Sequence, residues 1–138
     1  CGDTFVSLKR NLGPKFIVKG YLRDEELVGF SSAFICNDIV DANYVGINYD
    51  LNHKHAIYQR MLYDYVALAM ENNSAELRFG RTAEEIKSTI GAEPVAMNLY
   101  IRHKSRIKDK VLKPIFASIK PSEFELRKPF KALEYANV

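Results

Sequence analysis

Leu77-Arg78-Phe79-Gly80-Arg81-Thr82-Ala83-Glu84-Glu85 is the stretch on which the reading of this chain turns. Residues 76–79 read as a short strand, and Thr82-x-x-Glu85 is a capping box. In such a box the Thr hydroxyl accepts from the Glu85 N–H while the Glu side chain reaches back to the start of the helix. A strand that passes straight into a helix sets helix N–H groups beside the carboxyl ends of strands, where α/β proteins bind ligands. Function is therefore sought at this junction.

Upstream, Ile57, Met61, Leu62, Tyr65, Leu68 and Ala69 recur at three- and four-residue spacing. This predicts a helix from Asn52 or His53 to about Asn73, with one stripe on a core. Residues 39–49 predict the strand before it, with a bulge at Asp41-Ala42-Asn43. That strand and residues 76–79 then pair in parallel through a right-handed crossover. Further back, residues 15–23 alternate, with Phe16, Val18, Gly20 and Leu22 on one face. Asp24-Glu25-Glu26 turns the chain, and the almost wholly apolar or small residues 27–36 predict a central strand. Asn37-Asp38 turns it again. Residues 5–10 alternate weakly and are expected as an edge strand before an Asn11-Leu12-Gly13-Pro14 turn.

Downstream, Ile86 and Ile90 give the capped helix a buried edge, and Gly91 suits a left-handed C-terminal cap. Glu93-Pro94 leads into an expected last strand, residues 95–103, with Met97, Leu99 and Ile101 on one side. The fold class expected is α/β of the α+β kind: one mixed sheet, an antiparallel meander followed by a β-α-β crossover, and helices on both faces. Residues 1–104 are expected to form the domain. Residues 105–138 are a basic extension punctuated by Pro114, Pro121 and Pro129. Its apolar residues, among them Ile115, Phe116, Ile119, Phe124, Leu126 and Phe130, predict short helices packed on the domain or on a neighbour.

A chain of 138 residues with 47% hydrophobic and 27% charged residues suits one ordinary globular domain. No apolar run approaches the ~20 residues needed to span a bilayer. No signal peptide is read at its start, and a cytoplasmic location is the expectation. The start at Cys1 points to a piece of something longer. Cys36, in an apolar run, reads as a small buried hydrophobe with a reduced thiol. The net charge of +3 conceals 10 Lys+Arg against 13 Asp+Glu in residues 1–101, and 10 against 4 in residues 102–138. A basic tail on an acidic body reads first as a solvated or domain-facing surface, and only second as attraction to an anionic partner. His53-Lys54-His55 makes no metal site, because histidines two apart point to different sides of a helix and no further cluster has ligand spacing. No Ser-His-Asp, Cys-His or Walker-type pattern occurs.

Three antiparallel strands, a long helix, a strand, a shorter helix and a final strand resembles the order of the GNAT superfamily of N-acyltransferases, over roughly residues 15–103. Arg78-Phe79-Gly80-Arg81-Thr82, followed by Ile90-Gly91-Ala92-Glu93-Pro94-Val95, looks more specifically like the second GNAT-like domain of proteins related to the Fem peptidoglycan aminoacyltransferases. The resemblance implies an acyl carrier in a V-shaped opening between the third strand and residues 76–79. An amine acceptor would attack the carrier's acyl carbonyl directly, with no metal and no covalent enzyme intermediate. Backbone N–H groups at a bulge near residues 46–49 would stabilise the oxyanion, and the start of the helix near Asn52 would meet phosphate. Also implied are an N-terminal partner domain and a role in cell-envelope biosynthesis of bacterial type; a homodimer is compatible with the basic, apolar tail. Coenzyme A–binding members carry a glycine-rich turn before that helix. Asp50-Leu51-Asn52-His53-Lys54-His55 has no glycine here, and Asp50 would repel a pyrophosphate. Acyl-CoA as donor, aminoacyl-tRNA as donor, and a catalytically silent domain that binds substrate or supports a partner all stay open.

Within that frame Asp50 would take a proton from the amine and Tyr49 would return one to the leaving group, which makes them the catalytic candidates. Their plain alternative is a turn residue beside a half-buried strand tyrosine. Asn48, Asn52, Tyr58, Arg81 and Thr82 are the substrate-binding candidates. Arg81 either clamps a phosphate or carboxylate, or makes a stiffening salt bridge to Glu84, Glu85 or Asp50. Lys87, one turn into the helix, reads as a surface lysine.

Overall fold

A strand of apolar and small residues needs cover on both faces, and the computed structural model supplies it. The structure describes residues 2–118 and 124–130; Cys1, Ile119, Pro121 and residues 131–138 lie outside them, so the C-terminal extension is seen in part. The elements run α1 (Gly2–Leu12), a 3₁₀ turn (Gly13–Lys15), β1 (Phe16–Arg23), β2 (Glu26–Cys36), β3 (Ile39–Ile47), α2 (Tyr49–His55), α3 (Ile57–Glu71), β4 (Glu76–Arg78), α4 (Glu84–Ser88) and α5 (Arg106–Ala117). One sheet has the order β1-β2-β3-β4, antiparallel except for the last pair, which is parallel. The predicted meander and crossover are both present.

On one face, α3 lays Tyr65 and Ala69 against Ala33, Val40 and Ala42, and Ile57 and Met61 against Val28. The predicted stripe of that helix is the buried one. On the other face, aromatic rings do the packing: Phe5 meets Phe16, Phe30 and Tyr44 at 6.1, 5.6 and 5.5 Å between centroids. Phe16 is fully buried, worth about 2–3 kcal/mol of apolar transfer. Gly46 lies beneath Phe30, and a Cβ there would overlap the ring.

Four expectations are corrected. Residues 5–10 are helical, not an edge strand: Phe5 and Leu8, three apart, are the half-buried residues of α1, and that spacing overrides the weak alternation. The long helix is broken at Ala56, which has φ 47°, and the Asn52 Oδ1 accepts the Tyr58 N–H at 2.9 Å to cap a separate α3. Residues 95–103 alternate but pair with nothing in the sheet; Val95, Met97 and Leu99 are 81, 78 and 75% exposed. Cys36 is exposed: it follows Ile35, which packs on the core under α3, and so faces the opposite side of the sheet at the end of β2.

Candidate functional site

β4 pairs with β3 only along Ile39↔Glu76, Val40↔Leu77 and Asp41↔Arg78. Just beyond, Ala33 opposes Ala42 while Ser31 opposes Val45, so Asn43 and Tyr44 together face the single residue Ser32. This is a β-bulge, and it shares only Asn43 with the predicted Asp41-Ala42-Asn43, whose first two residues pair regularly. The Ser32 hydroxyl fills it, accepting from the Tyr44 N–H at 3.1 Å and facing the Tyr44 carbonyl at 3.3 Å. Past the bulge β3 keeps only β2 as a strand partner, and its other edge is open. The Tyr44 and Asn48 N–H groups point to β2, the latter to the Val28 carbonyl at 2.9 Å. Backbone groups alternate sides along an antiparallel strand, so the N–H groups of Val45 and Ile47 face the open edge. The expected donors near residues 46–49 are therefore displaced: the bulge is at Asn43–Tyr44, and the Asn48 N–H is already used.

α3 anchors the base of this opening. The Tyr65 hydroxyl donates to the Ser32 carbonyl at 3.0 Å, and its ring meets Phe79 edge-on at 6.0 Å. Burial pushes the Tyr65 hydroxyl above the usual tyrosine range.

The second wall is the loop from β4 into α4. Its expected capping box does not form. Ala83, at φ 59°, is the N-cap of α4 and no side chain caps it. Instead Lys87 is buried, and its ammonium donates to the carbonyls of Gly80, at 2.6 Å, and of Thr82, while sitting 6.0 Å from the Phe79 ring. Charge-assisted bonds to two carbonyls hold the loop more strongly than one hydroxyl cap. Burial pushes the Lys87 ammonium below the usual lysine range. Ser88 on the same helix donates to the Glu85 carbonyl and accepts the Arg127 N–H at 3.0 Å, and Arg127 pairs with Glu85 at 2.6 Å. Residues 124–130 thus strap α4 down.

The candidate residues divide between the two walls. Asn48, Tyr49, Asp50, Asn52 and Tyr58 lie along the β3–α2–α3 wall, and Arg81 and Thr82 along the loop. Tyr49 and Asp50 belong to the first turn of α2 rather than to a strand, because the Asn48 Oδ1 accepts the Asp50 N–H at 3.1 Å. The N–H groups of Leu51 and Asn52 go to the Asn48 carbonyl. Both asparagines therefore spend an oxygen on capping. Tyr49 is 80% exposed. Tyr58 is half-buried, and burial first, then the neighbouring Tyr49, raises its hydroxyl above the usual range. Arg81 is exposed and, among the described residues, pairs with no carboxylate; the alternative bridges to Glu84, Glu85 and Asp50 are not formed. Thr82 contributes its carbonyl, not its hydroxyl, to the Lys87 contact.

Backbone donors lie along the open edge of β3, and Arg81, on the loop after β4, has no carboxylate partner among the described residues. Oriented N–H groups suit an oxygen that gains negative charge, and a guanidinium suits a fixed anion. The first turn of α2 fits a pyrophosphate poorly, since its N–H groups at residues 50–52 are taken and Asp50 adds negative charge. Ser32, Tyr65 and Lys87 were not anticipated as parts of the site. The Ser31-Ser32 pair inside an apolar strand was a visible irregularity; nothing in the sequence marks Lys87 as buried.

No family model matches the chain, and no curated protein matches it. Solved structures do share its shape. AAC(6')-Iy in complex with the bisubstrate analogue CoA-S-monomethyl-acetylneamine superposes with a TM-score of 0.60 at 10% identity, over 76% of this chain and 82% of that one. An aminoglycoside acetyltransferase from an uncultured soil metagenomic sample, meta-AAC0020 in complex with sisomicin, gives 0.54 at 12% identity, over 72% and 74%. An integron cassette protein from the mobile metagenome of V. cholerae gives 0.54 at 14% identity, over 82% and 79%. At such identities the likeness is one of fold, and the fold is GNAT-like.

Proposed function

We propose that this GNAT-like fold serves as an N-acyltransferase-type domain, moving an acyl group from a carrier to an amine. The observation that carries the reading is the bulge-split edge of β3, with the N–H groups of Val45 and Ile47 turned to the opening. In this reading they receive the acyl carbonyl oxygen as the amine attacks, and they stabilise the charge that develops on it. Asp50 takes the proton released by the amine, and Tyr49 supplies one to the leaving group. Arg81 and Thr82 hold the anionic part of the donor. Asn48 and Asn52 fix the turns that present Tyr49 and Tyr58. The two acetyltransferases of similar shape were captured with a CoA-linked analogue and with sisomicin. By extension, acyl-CoA is the first donor to try and an amine-bearing small molecule the first acceptor.

An aminoacyl-tRNA donor and a place in cell-envelope biosynthesis are the finer form of the same reading, resting on the Fem-like segments at residues 78–82 and 90–95. An N-terminal partner domain or a second copy would cover the exposed Val95, Met97 and Leu99 together with Ile107 and Val111 of α5. The division into a domain at residues 1–104 and an extension at 105–138 belongs to this proposal.

One observation favours a second reading, a silent domain that binds or supports without catalysis: the N–H groups of α2 are already satisfied beside Asp50. Thermal melting with acetyl-CoA, free CoA and bulk tRNA separates the readings. A ligand at 100 times its Kd stabilises by about 2.7 kcal/mol. Stabilisation by either coenzyme, with acyl transfer to an added amine, supports the acyl-CoA form. Stabilisation by tRNA alone supports the aminoacyl form. No response to any of them supports the silent domain.

A further inference from the structure

We propose a second binding site, separate from the cleft, that takes a small organic anion at the α2–α3 junction. A cavity of about 190 Å³ lies there, on the side of α3 that faces β1 and β2. Its floor is apolar: Val28 and Ile57, both buried, with Leu51 and the ring of Tyr21. Its rim is basic: Arg23 from the end of β1, His55 from the end of α2 and Arg60 from the first turns of α3.

The rim groups are arranged as if for an anion. The Arg23 Nη1 lies 2.9 Å from the His55 Nε2. A guanidinium only donates, so the imidazole accepts there, and two basic groups touch with no carboxylate between them. Among the described residues Arg23 has an acidic neighbour only through Nε, 3.5 Å from Asp24, a residue whose side chain is 91% exposed. Arg60 likewise uses Nε alone, on both oxygens of Asp64 at 3.2 and 3.3 Å. Asp64 is shared further: Lys19 pairs with it at 3.1 Å, so one carboxylate answers two cations. The terminal nitrogens of Arg60 and the Nη2 of Arg23 carry no hydrogen bond among the described residues. Uncommitted guanidinium nitrogens around an apolar floor select an anionic head on a short apolar body.

The size restricts the body. At about 190 Å³ the cavity lies below the ~300 Å³ at which pockets for drug-sized ligands begin. A short-chain carboxylate fits this description, and so does a small phosphate ester. Neither depends on the acyltransferase reading.

The test is a methyl NMR titration of the 138-residue protein with hexanoate, hexyl phosphate, hexanol and acetyl-CoA, repeated on Arg60→Gln and Arg23→Gln. Saturable shifts at the methyls of Val28, Leu51 and Ile57 are expected with either hexyl anion, whichever binds tighter naming the head group. Affinity should fall at least tenfold in each variant, with an unchanged melting temperature in the absence of probe. Equal shifts from hexanol, or unchanged affinity in both variants, would reduce the cavity to an apolar dent. Shifts at the same methyls from acetyl-CoA, displaced by hexanoate, would merge it with the donor cleft and overturn a second site. No saturable shift from either anion would end the proposal.

Discussion

The hydroxyl of Tyr65 donates to the carbonyl of Ser32 at 3.0 Å, and so ties α3 to the one residue of β2 that faces the bulge in β3. The same Ser32 holds Tyr44 through its side chain. One helix residue therefore fixes the place where β3 and β4 part.

Tyr65→Phe removes that donor and leaves a buried carbonyl unmatched. A loss of about 1–3 kcal/mol in urea denaturation is expected. A variant as stable as the parent would mean the bulge holds without the helix.

Arg81→Ala should leave stability within about 0.5 kcal/mol, since its side chain is exposed and unpaired among the described residues. Stabilisation by whichever anionic donor proves effective should disappear. A lower melting temperature with donor binding intact would make Arg81 a structural residue.

Lys87→Met keeps the apolar stem and deletes both carbonyl bonds of the loop. Roughly 1–3 kcal/mol of stability should be lost, and hydrogen exchange should speed up in residues 79–84. Unchanged exchange would show that the loop is held by packing on Phe79 alone.

Above pH 10 the protein should lose stability faster than its exposed tyrosines dictate. Tyr21, Tyr58 and Tyr65 are all raised, chiefly by burial. Their contribution is whole below the unfolded tyrosine value of about 10, and is lost as pH climbs through their higher folded values. Lys87, lowered by burial, acts in the opposite direction: its penalty lifts as pH rises towards the ordinary lysine value. Three tyrosines outweigh one lysine, so the net slope is downward. Tyrosine absorbance against pH, alongside melting temperature, checks this; a flat stability between pH 10 and 12 would contradict it.

Gly46→Ala should be destabilising by about 1–3 kcal/mol, because the new methyl would overlap the Phe30 ring on the α1 face. Calorimetry measures it. A neutral result would show that Phe30 can swing away from β3.

Much of the fold was legible because its signals are local. The Ile57-to-Ala69 spacing, the apolar run at residues 27–36 and the turns at residues 24–26 and 37–38 each specify their element without reference to the rest. Two of the misreadings occurred where competing interactions met one segment. Residues 5–10 fit a weak strand and a helix alike, and packing of Phe5 on Phe16 and Phe30 decided for the helix. Thr82-x-x-Glu85 is a sound capping box by itself, yet the ammonium of Lys87 took the loop carbonyls, and Glu85 turned to Arg127.

The sequence by itself determined the four strands of the sheet, their order, and the Ile57-to-Ala69 stripe that covers one face. Periodicity and turn chemistry are properties of neighbours along the chain, so they can be read there. Only the tertiary structure decided where β3 leaves β4, which backbone donors are still unspent, and which charged side chains are buried or unpaired. Those depend on partners far apart in sequence, such as Ser32 with Tyr44 and Tyr65, or Arg23 with His55. A hydrogen-bond donor counts for chemistry only when no such partner has claimed it.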